Sequence, residues 1–427
     1  MISSSEMLPK QNKNKDEVID EAEELRRLYR WSFAVRFGFG LAAWGATQFL
    51  NIGLVKDAGF YQQIGEELAQ DWMNGDTSVS NAQQEVDARA GRSGMVYVIA
   101  AFYYITNGFG SIPLLLAFYS ALTAWTPVFT YRICRELGAS VAAARIAGRL
   151  VAFSPIFALW SALYKEGLIF LLMNIVVYYA LRLQKQRQLR SVGIIFLCLL
   201  GIFALRFYLA VMIMPIITVS LLFVGQPEQK DKGNKPTKLL LFLQQGLIVA
   251  ILVLILGQVG FFEQALELGA DYIEDPFGNL QTMRDDLSSS SASGYLEDAD
   301  VSTPEAALAF LPVGLMYFLT GPLPWQFGGV LQNIAIPETT FWLLLYPLVL
   351  SGMKQGLRRN FQGSVLLLAM SIAISCLFAL ISGNLGIAYR MRSQVWLLWA
   401  VFAGWGWEER RLKKEEKRRF AGKFKNY

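Results

Sequence analysis

The stretch GLIFLLMNIVVYYALRLQKQRQLR, residues 167–190, decides how this chain is read. It opens with fifteen uncharged residues and then places Arg182, Lys185, Arg187 and Arg190 within nine. About 20 apolar residues in a helix cross the hydrocarbon core of a bilayer. Lys and Arg gather in the short connectors on the cytoplasmic side. An apolar run that ends in a basic connector is therefore a membrane span with its inner end marked.

The same punctuation recurs outward from this stretch. Basic connectors carry Arg132/Arg135, Lys230/Lys232/Lys235/Lys238 and Lys354/Arg358/Arg359, and the tail Glu408–Tyr427 adds Arg410, Arg411, Lys413, Lys414, Lys417, Arg418, Arg419, Lys423 and Lys425. All of these are expected to face the cytoplasm. The long connectors Lys56–Gly94 and Phe261–Glu305 are the reverse. The second sets Arg284 alone against eleven acidic residues, Glu263 to Glu305, and both connectors are expected outside.

Composition agrees. A 427-residue chain that is 54% hydrophobic and 17% charged holds more apolar side chain than one soluble core buries. Its net charge of +5 lies in the basic connectors and tail, which points to membrane lipids as partners rather than nucleic acid. The three cysteines fall in or beside apolar runs, so no disulfide framework is expected. The absence of histidine excludes His-based acid–base chemistry and His-ligated zinc or haem. No cofactor is assigned with certainty; a divalent metal stays open, with Asp298-Ala299-Asp300 as an acidic pair set in a loop where charge runs are ordinarily just solvated.

The predicted fold is all-α and polytopic, with about ten transmembrane helices: Ser32–Gly53, Ser111–Tyr131, Ser140–Leu159, Gly167–Leu183, Ser191–Leu205, Tyr208–Val224, Leu239–Val259, Thr340–Met353, Gly363–Ile381 and Val395–Trp407. Residues 1–31 read as a cytoplasmic segment, 32–407 as the membrane domain with outer loops 54–94 and 260–305, and 408–427 as a cytoplasmic tail. Both termini are then inside. That parity requires two shorter apolar stretches, Met95–Phe109 and Ala306–Leu319, to be juxtamembrane or re-entrant helices on the outer face. The first 30 residues lack the short apolar core of a signal peptide, so the first span is expected to be uncleaved. Asp57–Trp72 has apolar residues at helical spacing and reads as a helix along the outer surface. Ser288–Ser293 reads as a mobile stretch.

The candidate chemistry rests on charges near membrane depth, which are costly and tend to meet a partner or a wet cavity. Asp57 follows the first span, where a carboxylate can act as a base on a lipid-borne substrate or simply cap the helix that follows. Lys165-Glu166 opens a span, where the helix dipole alone would favour the carboxylate. Arg206, Arg390 and Arg392 are outer-side cations against the positive-inside trend. Planar guanidiniums there suit a two-pronged grip on lipid phosphate; snorkelling or a salt bridge is the alternative. The spacing of Arg390 and Arg392 predicts an extended loop over Gly383–Gln394 that offers both to one phosphate. Arg36, Arg145 and Arg149 read as snorkelling side chains.

Several short motifs carry a resemblance: Asp57-Ala58-Gly59-Phe60-Tyr61 with Gly75, Gly91-Arg92, Tyr103-Tyr104 and Gly108, Glu136-Leu137-Gly138, Ser154-Pro155, Trp160-Ser161, Lys165-Glu166, and Gly383-Asn384 through Tyr389-Arg390-Met391-Arg392. Over roughly residues 33–200 and 380–405 the chain resembles the polytopic GT-C glycosyltransferases, the class of the protein O-mannosyltransferases and the lipid A aminoarabinose transferase. The resemblance implies a GT-C-like fold and a sugar moved from a polyprenyl-phosphate carrier to a lipid or glycan acceptor on the outer face of the cell inner membrane. It also implies Asp57 as base. Glu166 is then expected in catalysis, and Lys165, Tyr61, Arg206, Arg390 and Arg392 at the substrate. The rival expectations are a lipid-linked polysaccharide polymerase or ligase, and a transporter or complex subunit without enzymatic activity.

Overall fold

A computed structural model describes residues 10–50, 56–75, 94–162, 164–186, 188–222, 274–289, 296, 298–328 and 330–423. The structure is 87% helix, with no strand among the described residues, so the all-α expectation holds. Four helical stretches are long and apolar enough to cross a membrane: Ile112–Glu136, Lys165–Lys185, Gln332–Arg359 and Phe361–Ile381. The expected span Leu239–Val259 lies outside the described residues.

Helix α1, Lys10–Leu50, runs without a break through the border drawn between a polar segment and a first span. Its buried positions Glu24, Leu28, Ser32, Arg36 and Gly40 recur every four residues, which puts them on one face. That face meets α4 (Ile112–Thr123), α5 (Thr126–Glu136), α6 (Val141–Phe153) and α7 (Pro155–Leu159). Electrostatics fix the contact. Glu24 binds Arg145 and Arg149, each at 3.1 Å, and Glu21 binds Arg135 at 3.0 Å. Arg36 is fully buried and donates to Ser32 Oγ at 2.5 Å and Val151 O at 3.4 Å. Arg36, Arg145 and Arg149, read from the sequence as snorkelling, thus each have a partner at the α1 interface.

The predicted span Ser140–Leu159 is two helices. Ser154 takes ψ 125°, an extended backbone, since the residue before a proline is pushed out of the helical region. Pro155 then starts α7.

Helix α2, Lys56–Met73, matches the surface helix expected over Asp57–Trp72: Ala58, Tyr61, Ile64, Leu68 and Ala69 are buried while Glu66, Glu67 and Gln70 are exposed. It packs on α3, Gly94–Ile105. Gly94 sits so close to the backbone of Ala204 that a Cβ there would come within 2.9 Å of it. The α2–α3 pair is thereby seated at the end of α9, Leu189–Leu205.

The remaining described helices are α8 (Lys165–Gln186), α10 (Phe207–Leu222), α11 (Pro276–Ser289), α12 (Pro304–Thr320), α13 (Val330–Arg359), α14 (Phe361–Ile381) and α15 (Leu385–Lys423). Ser288 and Ser289, expected in a mobile stretch, belong to α11. Helix α13 begins ten residues before the predicted Thr340, with Pro337 and Pro347 inside it. Helix α15 starts at Leu385 and runs on into the basic tail, so Gly383–Gln394 is not the loop that the arginine spacing predicted. Gly352 and Gly406 let α13 and α15 touch backbone to backbone; a Cβ on Gly352 would run into the Phe402 carbonyl oxygen, and one on Gly406 into that of Leu348. Small residues at helix crossings are the usual device for close packing in lipid.

Candidate functional site

A short turn between α7 and α8 places the central residue. Tyr119 on α4 donates its hydroxyl to Tyr164 O at 2.5 Å and accepts from Leu168 N at 3.2 Å, pinning both sides of the start of α8. Gly167 fits because a Cβ there would press on Ser161 Cα at 3.0 Å and Thr123 Cγ2 at 3.1 Å. Glu166 is thus fixed in the first turn of α8, where the positive end of the helix dipole favours a carboxylate. It is fully buried.

Two arginines from distant parts of the chain converge on it. Helix α9 ends at Leu205, and Arg206 takes φ −160° and ψ 88° before α10 begins, a break that turns its side chain toward α8. Its Nη2 donates to Glu166 Oε1 at 2.5 Å, while Nη1 lies against Met391 Sδ. Arg390 comes from the second turn of α15, whose start is capped by Asn384 Oδ1 accepting from Gly386 N at 2.7 Å. Its Nη2 donates to Glu166 Oε2 at 2.9 Å, and its Nε lies 2.8 Å from Oε1 as an ion-pair contact. The Arg390 guanidinium also lies over Trp160, at 5.5 Å, and Tyr164, at 5.0 Å. Arg206 is 5% exposed and Arg390 17%, so Arg390 is the more accessible of the two.

Arg392 does a different job. On a helix, residues two apart diverge by about 200°, so Arg390 and Arg392 cannot share one phosphate as the loop reading required. Arg392 Nη1 donates to Leu319 O at 3.0 Å and Nη2 to Gly321 O. These carbonyls end α12, where backbone acceptors lack helical partners. Its guanidinium stacks over Trp396 at 4.8 Å.

Lys165 is half-buried at the start of α8, and Tyr61 is buried on α2, within electrostatic reach of the Tyr119 hydroxyl. The side chain of Asp57, in the first turn of α2, lies outside the described residues. Asp298 is exposed, and Asp300 Oδ1 accepts from Ser302 Oγ at 2.6 Å and Ser302 N at 2.8 Å, which holds the Asp300 carboxyl below its ordinary range. Among the described residues no group of three metal-ligating side chains is brought together.

Sequence reasoning missed Glu338. It is buried on α13 and accepts from Ser154 Oγ, from Ile156 N at 3.1 Å and, through Oε2, from Tyr389 at 2.7 Å. Trp342 Nε1 joins through Ser154 Oγ at 3.3 Å. Glu338 thereby meets the Ile156 amide at the start of α7 and fixes the residue next to Arg390. The available signal was an acid two residues before the expected span Thr340–Met353, which α13 carries inside its helix. Compared with known proteins, the sequence matches no family model and no curated sequence.

Proposed function

We propose that the chain is a polytopic membrane glycosyltransferase of GT-C type that transfers a sugar from a polyprenyl-phosphate carrier to a hydroxyl acceptor. The observation that carries the reading is the Glu166–Arg206–Arg390 triad at the end of α8 opposite Arg182 and Lys185. By the positive-inside rule that end is the outer one, in an inner membrane crossed about ten times with both termini cytoplasmic.

Two guanidiniums share one carboxylate, so the group retains positive charge, and Glu166 acts as the brace that aims Arg390 rather than as a contact for the sugar. The acceptor oxygen attacks the anomeric carbon, the carbon–oxygen bond to phosphate breaks, and the leaving polyprenyl phosphate takes the electron pair. Arg390 neutralises that phosphate, with Arg206 and Lys165 behind it; preorganised charge of this kind supplies much of the stabilisation in group transfer. Asp57 takes the acceptor proton. Trp160 and Tyr164, flanking Arg390, form the apolar side of the sugar subsite, and Tyr61 on α2 is the further substrate contact.

Arg390→Lys tests the reading. Lysine keeps the charge and loses the two-pronged grip, so transfer from a synthetic polyprenyl-phosphate sugar in nanodiscs should fall by about 10² with normal expression. Undiminished transfer refutes it. The triad also suits a lipid-linked polysaccharide polymerase or ligase. That reading prevails if Arg390→Lys abolishes turnover on a lipid-diphosphate donor while Asp57→Asn leaves it intact.

A further inference from the structure

Away from the triad, α1 and α5 line a cleft of about 740 Å³ whose polar and aromatic lining is Glu23, Arg26, Tyr29, Arg30, Trp125 and Arg132. It lies near the end of the bundle where α5 carries Arg132 and Arg135, which charge bias marks as cytoplasmic. Three features define what would fit.

The polar wall is cationic. Among the described residues none of Arg26, Arg30 and Arg132 is in an ion pair: Arg26 Nε reaches only Ala22 O at 3.4 Å, and Arg132 lies over the Phe129 ring at 5.5 Å. The one acid, Glu23, is engaged by Arg27 at 3.3 Å. The other wall is aromatic: Tyr29 and Trp125 pack with ring centroids 5.0 Å apart, Tyr29 is anchored to Ala121 O at 3.1 Å, and Trp125 is 42% exposed. Tyr and Trp at headgroup level, beside clustered arginines, are the features by which membrane proteins take anionic lipid. A cleft of this size also exceeds what a free phosphate fills.

We propose that this cleft is a site for one anionic phospholipid of the inner leaflet, its phosphate among Arg26, Arg30 and Arg132 and its glycerol and upper chains along Tyr29, Trp125 and Val128. Charge complementarity selects the occupant, since a zwitterionic headgroup would bring a second cation to three arginines. The site stands independently of the transferase reading.

Native mass spectrometry of the purified chain, titrated with phosphatidylglycerol and with phosphatidylcholine of the same chains, tests it. One tight phosphatidylglycerol adduct is expected, and R26Q/R30Q/R132Q should weaken it at least about tenfold. The charge-matched variant R410Q/K414Q/K417Q in the basic tail should leave it unchanged. R26Q/R30Q serves if the triple variant is not recovered, with a smaller loss expected. Equal binding of the two lipids overturns the proposal, as does equal weakening by the tail variant, which would mean diffuse attraction. Displacement of the adduct by millimolar glycerol phosphate would mean a soluble anion site, and also overturns it.

Discussion

Replacing Glu166 with Gln removes the only carboxylate between Arg206 and Arg390 in the triad while keeping the side chain's shape. The wild-type carboxylate takes nitrogen contacts at 2.5, 2.8 and 2.9 Å and is fully buried, so water cannot take its place. Removing one member of a buried ion group costs about 3–5 kcal/mol because the remaining charge is stranded. Glutamine retains one acceptor oxygen but turns an amide NH₂ toward a guanidinium, which supports about 4 kcal/mol, within that range. At about 2.1 cal/mol/K per residue, 427 residues give an unfolding entropy near 0.9 kcal/mol/K. The melting midpoint should therefore drop by about 4–5 °C. The assay is intrinsic-fluorescence melting in one detergent at one scan rate, since chains of this size commonly unfold irreversibly. Glu415→Gln is the control. Its pair with Arg411 is 3.6 Å long and half exposed, so it should shift the midpoint by less than about 1 °C. Glu166→Gln/Arg206→Met, which deletes the more buried guanidinium as well, should cost less than the two single changes summed. A shift for Glu166→Gln no larger than the control's would refute the account, because the three charges would then be solvated and the rigid aim of Arg390 lost.

Gly352→Ala forces a methyl into the Phe402 carbonyl where α13 and α15 touch; overpacking costs about 1–3 kcal/mol or more, read as lower folded yield and a lower midpoint. Arg284→Ala removes donors at 3.1, 3.2 and 2.8 Å to Leu380 O, Ser382 O and Leu296 O, so amide exchange in α11 should accelerate while that of α8 does not. Helix α2 begins at Lys56, so Asp57 lies in its first turn and is not the cap that the sequence allowed. Asp57→Asn keeps the side chain's shape but cannot take a proton, so turnover should fall by about 10² or more. Normal turnover would leave its place at the positive end of α2 as its role.

Much of the helical layout was legible because apolar length and charge punctuation act locally. The expected span Gly363–Ile381 matches α14 to within two residues, and the spacing of Tyr61, Ile64 and Leu68 marks α2 and its buried face. Boundaries failed where a local breaker met a tertiary partner. Pro337 sits inside α13, where Glu338 is tied to Ser154 and Tyr389, whereas Pro155 does start a new helix, its free amide at Ile156 met by that same Glu338. Nothing within either sequence window separates the two prolines. The start of α15 was misjudged likewise: Gly383-Asn384-Leu385-Gly386 looks like loop, yet Asn384 is a cap.

The arginines show why charge bias nominates candidates without assigning roles. Arg206, Arg284 and Arg392 are buried and Arg390 nearly so, so each must offset its desolvation locally. Two of them do so against helix ends: Arg392 on the Leu319 and Gly321 carbonyls, and Arg284 on those of Leu380 and Ser382. These acceptors are neutral and fixed, and both side chains are fully buried, which closes them off from a ligand. Arg206 and Arg390 instead meet a carboxylate, and Arg390, beside Trp160 and Tyr164, is the more accessible of the two. A cation kept for a ligand must be held by something strong enough to orient it and must stay accessible. Of the four, Arg390 alone combines a carboxylate partner with appreciable exposure, a combination that becomes visible only once α8, α9 and α15 are brought together.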